Sequence, residues 1–199
     1  MDGTMKKLIF YAFLPMVVVT TALFVSASIA FENYTSSELV TKTEDMNIPI
    51  NQDAPVKSHD DLVIDAPRQK VWELLTGIND WPQWQTEVTE SHLKGELREG
   101  AEFEWKAGGL SFTSRIHTIE PGEKFGWTGK TFGASAVHNW FFRDEGDKTR
   151  VYVEESLQGV FPKLFGKYFQ KKLDSGLRKN LMELKVASEK QKSPDRIHS

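Results

Sequence analysis

The chain has 199 residues, a formal net charge of −3 and no cysteine. That length allows one domain plus an appendage, and the charge leaves no basic footprint for nucleic acid. The missing cysteines exclude disulfides, thiolate catalysis, Cys-ligated metals and an acylated lipoprotein cysteine.

The N-terminus reads apart from the rest. Lys6 and Lys7 precede an apolar run from Leu8 that ends in "SASIA", and small residues at Ser28 and Ala30 fit a signal-peptidase site. The run from Leu8 to Phe31 is also long enough, at about 36 Å as a helix, to span a bilayer. Thr20, Thr21, Ser26 and Ser28 thin its apolar character, and Pro15 would kink it. Residues 1–30 are therefore expected to be a signal peptide or a retained membrane anchor. Either places the remainder outside the cytoplasm (periplasmic or extracellular) or at a membrane face. Residues 31–60 are polar and sparsely apolar, as in a flexible linker.

A domain is expected over residues 61–190, followed by a disordered tail at 191–199. Leu62 and Ile64 alternate with polar neighbours, which predicts a strand. Pro67 suits a first helical turn, and Val71, Trp72, Leu74 and Leu75 give that helix an apolar face. In "NDWPQW", Asn79 or Asp80 can cap a second short helix that puts Trp81 and Trp84 on one side.

About six antiparallel strands follow, the first near His92–Leu97. Phe103 and Trp105 share a face, Gly108-Gly109 marks a hairpin, and Phe112, Ser114 and Ile116 share a phase. Arg115 and His117 fall in the opposite phase, which predicts solvation. Phe125 and Trp127 share a face after a turn at Pro121-Gly122. In the last hairpin His138, Trp140 and Phe142 point one way, joined by Val151, Val153 and Glu155 from the partner strand. Apolar residues at 161, 164, 165, 168, 169, 173, 177, 181 and 184 define one long amphipathic helix starting at Pro162. Gly166 and Gly176 beside its stripe suggest a close backbone approach or room for a ligand.

The fold class is α+β: a curved antiparallel sheet wrapped around a long C-terminal helix, with two short helices after the first strand. "VIDAPRQKVWELL", "INDWPQW", "LREGAEFEW", "HTIEPGEKFGW" and "GDKTRVYVEES" stand in an order that resembles the SRPBCC superfamily. That group includes START domains, birch-pollen-allergen-like proteins and the polyketide cyclase/dehydrase family. The resemblance implies a helix-grip fold with a cavity between sheet and helix. It also implies binding of lipids, sterols, polyketides or other apolar molecules, in some members with catalysis.

All six tryptophans lie between Trp72 and Trp140. Trp105, Trp127 and Trp140 are expected to line an aromatic cavity, although aromatics fill ordinary cores as well. The expected lining is completed by Phe112, Ser114, Ile116, His138, Phe142, Val153, Glu155, Phe165 and Phe169. His138 is the informative residue. The hairpin register sets Glu155 across from residue 136 or 138, so the pair can orient a polar ligand group, act as acid and base, or satisfy each other structurally. No GxSxG, HExxH, P-loop or GxGxxG motif is present, and the dispersed histidines give no metal-ligand spacing, so neither a metal nor a cofactor is expected.

Three readings follow. The first is a carrier or binding module for an apolar small molecule, contacting the membrane only if the leader is retained. The second is a cyclase, dehydratase or hydrolase using His138 and Glu155. The third is a partner-binding domain without ligand, for which Phe132 and Phe141 offer only a small exposed patch.

Overall fold

The computed structural model describes residues 47–190. Its elements are β1 (Val56–Ile64), α1 (Arg68–Thr76), a 3₁₀ turn (Ile78–Gln83), β2 (Val88–Leu93), β3 (Glu102–Ala107), β4 (Leu110–Glu120), β5 (Lys124–Thr131), β6 (Ala134–Asp144), β7 (Thr149–Gln158), α2 (Val160–Leu164) and α3 (Gly166–Glu189). The signal-peptide, anchor and tail expectations lie outside the described residues. Among those described, no helix is long and apolar enough to cross a membrane.

The seven strands form one antiparallel sheet in the order β1-β7-β6-β5-β4-β3-β2. Hairpins link the strands from β2 to β7. At the β3–β4 turn Gly108 and Gly109 both take positive φ, which a side chain would strain. Register shifts between Val88 and Glu90 and between Ile116 and Thr118 bend the sheet. Its concave face receives α3 through Leu173, Leu177, Leu181 and Leu184, all buried. Burial of each leucine stabilises the packing by about 2 kcal/mol. Polar contacts hold the helix on both flanks. Along β1, Ser58 Oγ donates to Asp174 at 2.6 Å and Arg178 pairs with Asp60 at 3.4 Å. On the other side Thr86 Oγ1 donates to Glu183 at 2.5 Å, and Lys179 meets Glu87 at 2.8 Å.

Three local expectations need correction. The terminal helix is not continuous from Pro162: Phe165 takes φ −120° and ψ 37°, which separates α2 from α3. Neither Asn79 nor Asp80 caps the 3₁₀ turn. Asn79 Oδ1 instead accepts the Leu93 N–H at 2.7 Å, and Asp80 Oδ1 accepts from Gln83 at 2.7 Å. Finally, the expected linker over 31–60 overruns the fold, because β1 begins at Val56 and Ile48 is already buried.

Residues 47–51 cross the outer face of the sheet as a strap. The Ile48 N–H donates to His117 Nδ1 at 3.3 Å, and Asn139 Nδ2 donates to the Ile48 carbonyl at 3.1 Å. The Asn51 N–H donates to Ser156 Oγ at 3.0 Å, and its side chain donates to Gln158 at 2.8 Å. His117, expected in solvent, is therefore buried. Its face assignment was right; the covering segment was invisible to strand phasing. Gly126 makes the room. A Cβ there would sit 2.5 Å from both Asn139 Oδ1 and His117 Cε1.

Burial first, then nearby Lys124 and His138, push the His117 pKa down to about 4. The neutral form is the one that accepts from Ile48. Above the ordinary imidazole value near 6.5 this histidine imposes no penalty on folding. As pH falls from there toward 4 the unfolded chain takes the proton first, so stability drops by up to about 3 kcal/mol. Urea unfolding at pH 7.5 and 4.5 should show that loss in the wild type and a smaller one in His117→Gln. Gly126→Ala should destabilise by about 1–3 kcal/mol through overpacking and release the strap, read as faster exchange of the Ile48 and Asn51 amides. Unchanged exchange in that variant would mean the strap is not held as described.

Candidate functional site

The site begins with strand register. Trp127 on β5, His138 on β6 and Glu155 on β7 are direct cross-strand partners, so their side chains stand side by side on the concave face. His138 Nδ1 lies 2.8 Å from Glu155 Oε2. Its ring stacks on Trp127 at 4.4 Å between centroids, and on Trp140 at 5.6 Å with only 7° between planes. One hydrogen bond and two indoles thus fix the imidazole. With Nδ1–H given to the carboxylate, Nε2 is left for something else.

His138 also lines a small cavity. Its lining includes Trp127, His138 and Trp140 from the sheet, Trp105 at the side, Trp81, Trp84 and Gln85 around the 3₁₀ turn, and Asn180 from α3. The volume is about 20 Å³, room for one water molecule. Three of the lining residues carry a buried nitrogen with no hydrogen-bond partner within the protein: His138 Nε2, Trp140 Nε1 and Trp84 Nε1. Two are obligate N–H donors, and the third accepts in a neutral imidazole. A hydroxyl group or a water matches this set, receiving from an indole and donating to Nε2.

Trp105, Trp127, His138 and Trp140 meet at the cavity as expected, with Glu155 behind them. The remaining expected lining residues do other work. Trp105 Nε1 donates to Ser114 Oγ at 3.0 Å and its ring stacks on Phe112 at 4.4 Å, so the Ser114 hydroxyl holds a tryptophan. Phe142 packs edge-on against Trp72 at 5.5 Å. Ile116 and Val153 are sealed in the core, and Phe169 packs half-buried against it. Phe165 is 56 % exposed, a direct correction of its expected inward position. The helix break turns it outward. Gly176 has no heavy atom within 4 Å of a Cβ built on it, which removes the close-approach explanation for that glycine.

Sequence phasing missed Leu75, Trp81, Trp84, Gln85 and Asn180 as lining. Two had a signal: Trp84 shares a side of the turn with Trp81, and Asn180 is a polar residue three past Leu177 and four before Leu184, on the apolar stripe. Among the described residues no group of three or more His, Asp or Glu is placed to hold a metal.

Residues 55–189 match the family model described as polyketide cyclase / dehydrase and lipid transport. The chain belongs to that family. This cyclase/dehydrase and lipid-transport family is of the SRPBCC type that the motif order resembles. No curated protein matches the sequence. Solved structures share the fold at low identity. A hypothetical protein from Helicobacter pylori aligns with TM-score 0.64 and 17 % identity, covering 72 % of this chain and 96 % of that one. A START superfamily protein from Mycobacterium smegmatis aligns with TM-score 0.61 and 12 % identity, covering 67 % and 97 %. The Zhui aromatase/cyclase from a Streptomyces species aligns with TM-score 0.61 and 11 % identity, covering 67 % and 93 %. The helix-grip architecture is common to the family member described here and these neighbours.

The geometry makes Glu155 the group that holds the imidazole. Glu155→Leu should cost about 1–3 kcal/mol by leaving a buried donor unpaired, whereas Glu155→Gln, which keeps an acceptor, should lose much less. Thermal melts of the two variants compare them directly. Equal losses would show that the hydrogen bond does not matter to the ring.

Proposed function

We propose that this domain binds a small apolar molecule bearing a hydroxyl group and carries it enclosed between sheet and helix. The observation that supports this most is that three residues lining one cavity, His138, Trp140 and Trp84, each carry a buried nitrogen without a partner in the protein, in an indole-rich interior that also holds Gln85 and Asn180. Burying a polar group without a partner costs about 1–3 kcal/mol. Three at one place favour a resident oxygen. Flat or polycyclic skeletons suit the lining, because Trp105, Trp127 and Trp140 offer ring faces and edges.

A cavity of about 20 Å³ is the closed state in this reading, holding one water until a guest displaces it. The lip is the segment Trp84–Glu87. Trp84 is only half-buried, and the segment is fastened to α3 by the Thr86–Glu183 and Glu87–Lys179 contacts. The exposed Glu87–Lys179 pair contributes little, about 0–1 kcal/mol, so the Thr86 contact to the largely buried Glu183 is the firmer fastening, and the lip opens there while the leucine stripe stays packed.

A second reading rests on the His138–Glu155 pair. A histidine whose Nδ1 is held by a carboxylate, and whose Nε2 faces the guest, can take and return a proton. Cyclisation or dehydration of a bound polyketide-like chain is then the reaction class. The same geometry serves both readings; turnover separates them.

The measurement is native mass spectrometry with organic extraction of the chain purified from its own host, followed by titration of 1-naphthol against tryptophan fluorescence. Carriage predicts a retained guest, or naphthol quenching that weakens about tenfold in His138→Phe, one lost hydrogen bond to a hydroxyl being worth about 1.5 kcal/mol. Glu183→Ala should speed uptake severalfold by unfastening the lip. Absence of any guest together with no naphthol response would overturn the proposal. Catalysis predicts that His138→Gln keeps binding but abolishes product formation from the extracted guest.

A further inference from the structure

We propose that one end of the domain, built from the β3–β4 and β5–β6 turns, α2 and the start of α3, docks on the surface of an anionic lipid bilayer. Nine large hydrophobic residues are exposed among those described, and six of them gather here: Leu110, Phe132, Val160, Leu164, Phe165 and Tyr168. They range from 39 % to 69 % exposed. The elements that carry them are physically joined. The Phe161 ring lies where a Gly133 Cβ would be, 2.2 Å away, and 5.6 Å from the Phe132 ring. Its N–H donates to the Gly133 carbonyl at 3.3 Å. Thr131 Oγ1 donates to the Ser111 carbonyl at 2.8 Å, which brings the Leu110 turn alongside. Apolar side chains exposed together on a soluble domain mark an interaction surface.

Charge selects the partner. From Phe161 to Lys172 the chain has lysines at 163, 167, 171 and 172, and no acidic residue. All four are exposed, and none forms an ion pair among the described residues. The whole chain is net negative at −3, so this positive end is a local feature. Aromatic and aliphatic groups rimmed by lysines match the boundary between acyl chains and anionic headgroups. The apolar groups project from two turns and two helix ends, which favours a bilayer over a folded acidic protein. The proposal is independent of what the cavity holds.

The absence of cysteine permits single nitroxide labels on the full chain. Labels introduced by Phe132→Cys and Leu164→Cys test the docking end, and Asp147→Cys, in the exposed β6–β7 turn at the other end of β6, is the control. On vesicles of phosphatidylcholine with phosphatidylglycerol, labels at 132 and 164 should become accessible to oxygen and shielded from a water-soluble nickel complex, and the label at 147 should not. Immersion should vanish on pure phosphatidylcholine. It should also fall about fivefold, at limiting lipid, for each charge removed in Lys163→Gln and Lys167→Gln. Because each label reports its own depth, a membrane contact made elsewhere in the chain leaves the readout intact. A label at 132 that stays in water on anionic vesicles overturns the proposal. So does one immobilised without lipid, which would mean self-association.

Discussion

The concave face of the sheet has to be filled by one narrow stripe, and that constraint orders the rest of the molecule. Leu173, Leu177, Leu181 and Leu184 of α3 cover only part of the width of seven strands. The remaining volume is taken by rings. Trp81 sits at the hub, with Phe103, Trp105 and Trp127 all within 5.7 Å between centroids. Indoles fill space well but bring an N–H with them. Trp81 resolves its own by donating to the Leu75 carbonyl at 2.8 Å, and Trp105 by donating to Ser114 at 3.0 Å. Trp84 and Trp140 do not, and both border the void beside His138. The candidate site is thus the place where ring packing leaves polar atoms unanswered.

The sheet is unusual in burying histidines on both faces, and the two are wired oppositely. His138, on the concave face, hydrogen-bonds Glu155 through Nδ1 and has no partner in the protein at Nε2. His117, on the outer face, uses Nδ1 as acceptor for Ile48, with Lys124 as a charged neighbour. Around His117, burial and a lysine oppose a protonated ring. The first arrangement suits a group that exchanges a proton or a hydrogen bond with a guest. The second suits a neutral fastening for the strap, silent above the ordinary imidazole range.

Much of the architecture was legible because period-two alternation and glycine turns are local signals. Counting across one tight hairpin set Glu155 opposite residue 136 or 138, and the structure selects His138. What failed depended on segments packing against one another. His117 lay in the expected phase, yet its burial depends on Ile48, 69 residues earlier. Phe165 fell on the apolar stripe by spacing, but the dihedral break there interrupts the helix and turns the ring outward. Ser114 faced inward as phased; only the position of Trp105 revealed that its hydroxyl was already used. The small size of the cavity was beyond any sequence argument, since residual volume is a difference between large packed volumes.

In the carrier reading proposed above, that small volume sets how a guest would be admitted. Two kinds of contact close the cavity, and they differ in strength. The floor and walls are interlocked rings and leucines, where displacing one residue exposes apolar area at about 25 cal/mol per Å². The lip is joined to α3 by the exposed Lys179–Glu87 pair, where water competes, and by Glu183, whose side chain is largely buried. Local opening follows the weaker boundary. The moving part is then the Trp84–Glu87 segment, and its movement carries one of the three unpartnered nitrogens with it. Under that proposal, a guest supplying an oxygen to Trp84 Nε1 would restore the partner that opening would otherwise give to solvent, so the closed state would be favoured by the molecule it encloses. Occupancy would then be coupled to closure without any change in the sheet, whose register is fixed by its hairpins and whose outer face is held by the strap.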